Sequence, residues 1–390
     1  MKQLSGTIRN LPESGIRKLQ EAARYIPGAF RLETGEPSFK TPKHICDAAY
    51  QAMLDGVTKY TAVPGIKSVR EAVADDFTSK LGCKVDYEQV VITGGAVMAI
   101  EATLRSICDP GDEVLVPDPS WPVYTMCVLG NHLVPKHYVM HQENGFEPTR
   151  EELERCITPK TKAIMVNTPG NPTGGVFSRS TVEMIMELAV KYDLYVIADE
   201  IYDFLIYDGE HTSFYPLDKD GRVILISGAS KKYAMTGWRI GYVIASKPIV
   251  ALINQVMVML IGNAVSFAQV ATEAAIRGPQ DFVSESMIEY RKRRDAAIAL
   301  LQQANIPVVI PKGAFYIMLD ISSCKMDSLD FALKLLEEEK VAVAPGGTFG
   351  KSAEKMVRIS YGTPYDMLCE GVERMCNFIN RHHAYDDQKH

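Results

Sequence analysis

Six short runs rich in valine and isoleucine, between about residue 90 and residue 245, constrain the fold of this chain more than any other feature. Polar alternation is largely missing from them, as expected for strands that are covered on both faces. Amphipathic stretches such as 96–108 and 180–193 separate the runs, and this repetition predicts a mostly parallel sheet with helices on both faces. The six runs read QVVIT, DEVLVPD, KAIMVNT, LYVIADE, RVILISG and GYVIAS.

Polar clusters follow the first five of these runs directly. Ligands of open parallel sheets bind at the carboxyl ends of the strands, so clusters at that position are expected to meet at one site. The expected convergence of five clusters is stronger evidence for a ligand site than any single motif. In chain order the clusters read TGGA, PDPSWP, NTPGNPTGG, ADEIYD and SGASKK.

The alternation of apolar runs and amphipathic stretches ends at about residue 280. A basic helical segment, 286–304, leads into the stretches GAFYIMLDI, DFALKLLEEEKVAVAPG and KMVRISYG, which together predict a second, smaller α+β unit. The first 50 or so residues are rich in loops and are expected to pack against it. The sequence therefore predicts a large domain at 48–285 and a small domain formed by 1–47 and 286–390.

Composition argues against several classes of protein. The net charge of −6 comes without a basic run, which argues against nucleic-acid binding. No apolar run approaches the ~20 residues that span a bilayer, and the N-terminus lacks the apolar core of a signal peptide, so we expect a cytoplasmic protein with no membrane partner. The eight cysteines form no CxxC pair, which favours reduced thiols and no metal site.

Two nucleotide-binding motifs are absent. The segment PGGTFGKS, 345–352, resembles a phosphate-binding P-loop, but Pro345 stands where the motif requires its first glycine. No GxGxxG follows a strand, so a nicotinamide-binding fold has no fingerprint here.

The remaining strand-end residues suit an aromatic, phosphorylated ligand that withdraws electrons. The TGGA cluster, with Gly95 and Ala96, opens a helix whose free N–H groups and dipole favour a phosphate, and Arg239 could add a bidentate contact. Trp121 offers a flat face on which a ring could stack. A plain tight turn at the glycines and a packing role for Trp121 are the alternatives.

Asp199 follows a buried strand and needs a partner, for which a pyridinium nitrogen is suitable. Helix capping is the competing role for Asp199, and Tyr202 and Asn171 either bind a ring hydroxylate or are ordinary turn residues. A lysine amine beside such a ring forms a Schiff base when burial and positive neighbours lower its pKa. Lys231 and Lys232 are adjacent candidates for that amine.

The whole chain resembles the class I/II aminotransferase family, pyridoxal 5'-phosphate (PLP) enzymes of the aspartate aminotransferase fold type. Any one matching motif is a modest signal, but nine in the order of the family are very specific. The motifs are SGIRKL (14–19), LETGEPSFKTPKHI (32–45), YTAVPGIKSVREAVA (60–74), PGDEVLVPDPSWPVY (110–124), NTPGNPTGGVF (167–177), IADEIYDF (197–204), SKKYAMTGWRIGY (230–242), GAFYIMLD (313–320) and VRISYG (357–362).

The resemblance implies an α/β PLP-transferase fold and PLP as cofactor. It selects Lys231, eight positions before Arg239 and directly after a serine, as the Schiff-base lysine and general acid/base. Lys232 is then expected to face solvent or to add positive potential.

The resemblance also implies the following contacts, residue by residue. Asp199 pairs with the pyridine nitrogen, Tyr202 and Asn171 contact the ring oxygen, Trp121 stacks on the ring, Gly95, Ala96 and Arg239 bind the phosphate, Arg358 clamps the substrate carboxylate with Gly35 in the same pocket, and Tyr60 reaches the phosphate of a neighbouring subunit. The position of Tyr60 implies a homodimer with shared active sites.

Three features depart from the pattern of the family: two single positions and one segment. Gly228 stands where many relatives bind phosphate through Ser or Thr, although Ser227 and Ser230 are near, and Ala264 replaces the usual proline. No Lys or Arg occurs between Lys247 and Arg277, where dicarboxylate-specific relatives supply an arginine.

The absence of a Lys or Arg in that segment favours a hydrophobic, aromatic or neutral amino donor, and the resemblance implies a 2-oxo acid as acceptor in a ping-pong reaction. An aspartate/glutamate-specific aminotransferase, a C–S β-lyase on the same fold and a catalytically silent PLP-binding regulator are the alternatives. The lyase is disfavoured because TPGNPTG and AMTGWRIGY are typical of the aminotransferase branch.

Overall fold

The computed structural model describes residues 2–12 and 15–382. Ser14, the first residue of the SGIRKL segment, lies outside the described residues. The strands are β1 (Phe30–Arg31), β2 (Val90–Thr93), β3 (Glu113–Asp118), β4 (Val134–Val139), β5 (Thr161–Asn167), β6 (Tyr195–Asp199), β7 (Val223–Gly228), β8 (Gly241–Ile244), β9 (Tyr316–Asp320), β10 (Val341–Ala342), β11 (Ala344–Pro345) and β12 (Met356–Ser360). The helices are α1 (Gly6–Arg9), α2 (Gly15–Arg24), α3 (Lys43–Leu54), α4 (Lys67–Leu81), α5 (Ala96–Ile107), α6 (Val123–Gly130), α7 (Arg150–Cys156), α8 (Arg179–Lys191), α9 (Ala229–Lys232), α10 (Lys247–Leu260), α11 (Ser266–Arg277), α12 (Asp281–Gln303), α13 (Ser328–Glu339) and α14 (Tyr365–His382).

A seven-stranded sheet in the order β2-β8-β7-β6-β5-β3-β4 forms the centre of the molecule. Strand β8 runs antiparallel to both of its neighbours, and the other pairs are parallel. All six predicted strands lie in this sheet, so the predicted α/β architecture is confirmed. The seventh strand, β4, was not predicted. It occupies an edge, includes Pro135 and leaves Val134 43% exposed, so it lacks the continuous apolar pattern of the inner strands.

Successive residues of the inner strands pack into different cores on opposite faces of the sheet. In β6, Ile197 packs with residues of α5, α6 and α10, whereas Val196 and Ala198 pack with residues of α7 and α8. Side chains of a strand alternate between faces, and both faces here are covered by helices. This arrangement explains why the strand sequences show almost no polar alternation.

The C-terminal segment forms a separate three-stranded antiparallel sheet, β11-β12-β9, flanked by α12, α13 and α14. Strand β1, near the N-terminus, pairs in parallel with β10, so the two ends of the chain pack together. The exact domain boundaries stay a prediction. Within residues 2–12 and 15–382, no helix is both long and apolar enough to cross a membrane.

Because two positions of the central sheet differ in burial, we expect substitutions there to differ strongly in how much they lower the free energy of unfolding. Ile224 in β7 is fully buried, whereas Val134 lies on the exposed edge. We expect Ile224→Ala to lower the free energy of unfolding by about 2–5 kcal/mol, because it removes apolar contacts and leaves a cavity. Val134→Ala, the matched control, should cost less than about 0.5 kcal/mol. Urea denaturation midpoints measure both, and equal losses would contradict the assigned strand order.

Candidate active site

A cavity of about 290 Å³ opens at the carboxyl ends of the central strands, where it meets the segment around Gly35. Its walls therefore come from the sheet and from both ends of the chain. The lining residues are Ile16, Gln20, Glu33, Gly35, Ala96, Val97, Trp121, Tyr124, Asn167, Asn171, Asp199, Ile201, Tyr202, Ser230, Lys231, Thr236, Arg239, Tyr316 and Arg358.

Lys231 lies in the short helix α9, one residue before its end, and this helix follows β7 directly. Its Nζ donates a hydrogen bond of 2.7 Å to the carbonyl oxygen of Gly35. Burial lowers the pKa of this amine to about 8, and the positive charges of Arg358 and Arg239 act in the same direction, against Glu36 and Asp199. A neutral amine is therefore accessible near neutral pH, as nucleophilic and proton-transfer chemistry requires.

Asp199 is the last residue of β6 and is almost completely buried. The hydroxyl of Tyr124 donates to its Oδ2 at 2.7 Å, and the N–H of Ile201 donates to its Oδ1 at 3.2 Å. Burial raises the pKa of the carboxyl group to about 6, even though these hydrogen bonds favour the ionised form. A carboxylate desolvated to this degree would be stabilised by a positively charged ligand atom.

The start of α5 and the guanidinium of Arg239 form the next part of the wall. Gly95 caps the helix with φ of +96°, and a Cβ at this position would stand 2.6 Å from Nη2 of Arg239. Arg239 donates from Nη1 to the carbonyl oxygen of Thr236 at 2.9 Å. The first N–H groups of a helix have no partner inside the helix, so this corner offers N–H donors and a cation to an anion.

Arg358, in β12, occupies the side of the cavity that faces the N-terminal segment. Its Nη1 donates to Oδ1 of Asn171 at 2.8 Å, and its Nη2 donates to the carbonyl oxygen of Glu33. The rings of Tyr316 and Phe349 lie 4.5 and 4.8 Å from the guanidinium carbon. Burial lowers the pKa of the guanidinium, but this group stays charged at ordinary pH.

Aromatic side chains complete the cavity. The hydroxyl groups of Tyr202 and Tyr316 lie 2.7 Å apart, and burial raises the pKa of both phenols. Trp121 meets Tyr124 edge to face, with ring centroids 5.6 Å apart.

The structure brings all but two of the sequence-predicted site residues into the wall of this cavity. Gly95 lies just behind it as the cap of α5, next to the lining residue Ala96, and Tyr60 lies away from it with 95% of its surface exposed. Ser230 lines the cavity, whereas Ser227 is buried within β7.

Sequence reasoning missed several lining residues. Tyr124 and Tyr316 lie within quoted motifs, so their position was a signal, but nothing marked their hydroxyl groups as polar contacts. Glu33 was also missed, because its carboxylate becomes buried only when the N-terminal segment packs against the edge of the sheet. The remaining missed residues are Ile16, Gln20, Val97, Asn167, Ile201 and Thr236.

Lys232 is half-buried rather than solvent-facing and does not belong to the residues that line this cavity. Burial and the neighbouring Lys80 lower the pKa of its amine to about 8, and its Nζ lies 5.1 Å from the ring centroid of Tyr233. Lys80 is itself paired with Asp76 at 2.6 Å. The two adjacent lysines therefore occupy different environments.

Known proteins of similar sequence cover nearly the whole chain. The profile of the family "Aminotransferase class I and II" matches residues 27–375. The "Aromatic-amino-acid aminotransferase 2" of Thermococcus litoralis is 37% identical and aligns with 95% of this chain and 97% of its own length. The "Aspartate/prephenate aminotransferase" of Thermus thermophilus is 38% identical and aligns with 98% of this chain and 100% of its own.

Solved structures agree with these relatives. The aspartate aminotransferase of Thermus thermophilus, solved with maleate, superposes with a TM-score of 0.92 at 36% identity, over 97% of this chain and 100% of that one. The fold is therefore that of the aspartate aminotransferases. The chain belongs to the class I and II aminotransferase family, and the protein is an aminotransferase, a transferase of amino groups. This family depends on PLP.

The raised pKa of Asp199 predicts that replacing this residue changes the free energy of unfolding by an amount that depends on pH. The pKa of Asp199 is about 6 in the folded, cofactor-free protein and ~3.9 in an unfolded chain. Above pH 6 the group is ionised in both states and the folded state carries a desolvation cost on the order of 3 kcal/mol. Below about pH 4 it is protonated in both states and the cost disappears.

We therefore expect cofactor-free Asp199→Asn to be more stable than the wild type at pH 8, by about 1–3 kcal/mol. The difference should shrink toward zero as the pH falls from 6 to 4. Urea unfolding at several pH values measures it. A variant less stable than the wild type at pH 8 would show that the carboxylate stabilises the fold.

Proposed function

We propose that this protein is a PLP-dependent aminotransferase that moves an amino group from an L-amino acid to a 2-oxo acid by a ping-pong mechanism. The donor has a hydrophobic, aromatic or neutral side chain. The observation that carries the proposal is the amine of Lys231, whose pKa of about 8 results from burial in a cavity that also contains Arg358 and Asp199. A cytoplasmic location is part of the proposal, because the sequence has no apolar run long enough to span a bilayer and its eight cysteines form no CxxC pair.

The residues of the cavity fit PLP. The N-terminus of α5 at Gly95 and Ala96, with Arg239, suits a phosphate, and the carboxyl group of Asp199, whose pKa burial raises, suits a protonated ring nitrogen. Trp121 and Tyr202 would hold the ring, and Lys231 would hold the aldehyde carbon. When bound, PLP supplies an electron sink for the pair of electrons left when the Cα–H bond breaks.

The protein's own residues then bind and reposition the substrate. Arg358 binds the α-carboxylate through two N–H groups, with Asn171 and Gly35 beside it. Lys231, in its neutral form, would take the proton from Cα of the substrate and deliver a proton to the aldehyde-derived carbon of the cofactor. The buried surroundings keep water away from these proton transfers.

We also propose a homodimer in which Tyr60 reaches the site of the neighbouring subunit. The support is the exposure of Tyr60: its side chain is 95% exposed in the single chain, and contact with a second subunit would bury this aromatic ring. Exposed apolar side chains nearby in sequence, including Tyr50 and Leu54, also suit an interface.

An aspartate/glutamate-specific enzyme is the second candidate. Its support is the name of several relatives, such as the aspartate aminotransferase of Pyrococcus horikoshii, 36% identical over 94% of this chain.

The lysine doublet provides a matched pair of variants. Lys231→Ala should lower turnover by at least about 1,000-fold and abolish the visible absorbance of lysine-bound cofactor, because it removes both attachment and proton transfer. Lys232→Ala should cost less than about tenfold, since its amine lies outside the cavity. Steady-state kinetics and absorbance spectra measure both. Comparable losses in the two variants would mean that the wrong lysine has been assigned.

A screen of half-reactions tests the function itself. Each amino acid is mixed alone with the PLP-loaded protein, and conversion of the cofactor to its amine form is followed by absorbance. Hydrophobic, aromatic or neutral donors should convert it fastest, and a 2-oxo acid should restore it. Preference for aspartate or glutamate would support the second candidate. Release of pyruvate and ammonia without an oxo acid would indicate a C–S lyase instead.

A further inference from the structure

Glu33 is a fully buried carboxylate in the wall of the active-site cavity. Its Oε1 accepts hydrogen bonds from Nε of Arg31 at 2.7 Å and from the hydroxyl of Thr34 at 3.1 Å. Its Oε2 is also buried but has no hydrogen-bond partner in the described part of the chain. The hydrogen bonds and the ion pair of this carboxylate therefore all involve Oε1.

A buried carboxylate oxygen without a donor is unfavourable, since it has lost water and gained nothing in return. Such groups usually have a partner in the functional state of the protein, such as a bound molecule or an ordered water. Among the cavity residues, the only other buried side-chain atom without a partner in residues 2–12 and 15–382 is Nε of Arg358. These two atoms belong to residues that are joined by a hydrogen bond between Nη2 of Arg358 and the carbonyl oxygen of Glu33.

This hydrogen bond holds the backbone of Glu33 beside Arg358, and both residues line the same cavity. If Arg358 binds the α-carboxylate, the next residue on that wall lies within reach of other parts of the same small molecule. Arg31, which neutralises part of the charge of Glu33, has a side chain that is 37% exposed and contacts only Oε1. The free oxygen, Oε2, remains a hydrogen-bond acceptor with negative charge.

We propose that Glu33 determines the side-chain specificity of the enzyme. Its Oε2 accepts a hydrogen bond from donors whose side chain ends in an N–H or O–H group, and its charge repels a side-chain carboxylate. This inference rests on the proposed aminotransferase function and narrows its substrate class. The enzyme should thus prefer asparagine over aspartate and glutamine over glutamate, pairs of nearly identical shape that differ in this one property.

The test compares wild type, Glu33→Gln and the control Thr34→Val. Glutamine keeps the size of the side chain but removes the charge, whereas Thr34→Val removes one hydrogen bond to Oε1 and leaves the charge and Oε2 unchanged. Half-reaction rates are measured with the four amino acids on the PLP-loaded proteins. Dissociation constants of two unreactive probes, succinamate and succinate, are measured by titration calorimetry.

In the wild type we expect the amide member of each pair to react, and succinamate to bind, at least about tenfold better than the carboxylate member. In Glu33→Gln this ratio should fall to within about threefold of one, mainly because the carboxylates improve. Thr34→Val should keep the wild-type ratio. Thermal unfolding identifies a variant that has lost its fold, and the wild-type ratio tests the proposal without any variant.

A wild-type preference for aspartate, glutamate and succinate would overturn the proposal, because a negatively charged Glu33 at the side-chain pocket would disfavour these ligands. An amide preference that persists in Glu33→Gln would overturn it equally, by placing specificity elsewhere. Both results leave the aminotransferase function intact, because half-reactions still occur. If no amino acid converts the cofactor in any protein, the proposed function itself fails.

Discussion

Desolvation of charged groups at the carboxyl edge of the central sheet is the constraint on which the rest of this structure depends. Asp199 and Arg358 are buried there and Lys231 is half-buried, and desolvation is the largest influence on the pKa of each. It shifts each group toward its neutral form, and neighbouring charges offset this only in part. The pKa values of Lys231 and Asp199 therefore lie near neutral, so the charge of these two groups can change when a small, charged ligand enters, whereas Arg358 stays charged.

The N-terminal segment creates much of that burial. Three residues of this segment bind the other wall of the cavity: the carbonyl oxygen of Glu33 accepts from Arg358, that of Gly35 accepts from Lys231, and the carboxylate of Glu36 accepts from the hydroxyl of Thr236. This segment therefore lies over the strand ends beside Lys231. The pairing of β1 with β10 holds the segment in place.

The sequence predicted the parts of the fold whose residues respond to local rules. Strands such as β6 were recognisable because both faces are covered and valine and isoleucine fill them, while edge strand β4 was missed because Pro135 and exposed positions remove that pattern. Residues that touch across long stretches of chain were harder to predict. The hydroxyl of Tyr124 on Asp199, and the burial of Glu33, arise only from tertiary packing.

The most direct test of this account measures the pKa of Lys231 in the cofactor-free protein. The neutral amine is the form that captures PLP, so the rate of recombination should rise with pH until the amine is fully deprotonated. Because Lys232 also has a lowered pKa, the measurement uses Lys232→Ala, with Lys231→Ala as the blank. We predict a rate that rises through about pH 8 and then levels off. A rate that keeps rising toward the ordinary lysine pKa of ~10.4 would show that burial does not activate this residue.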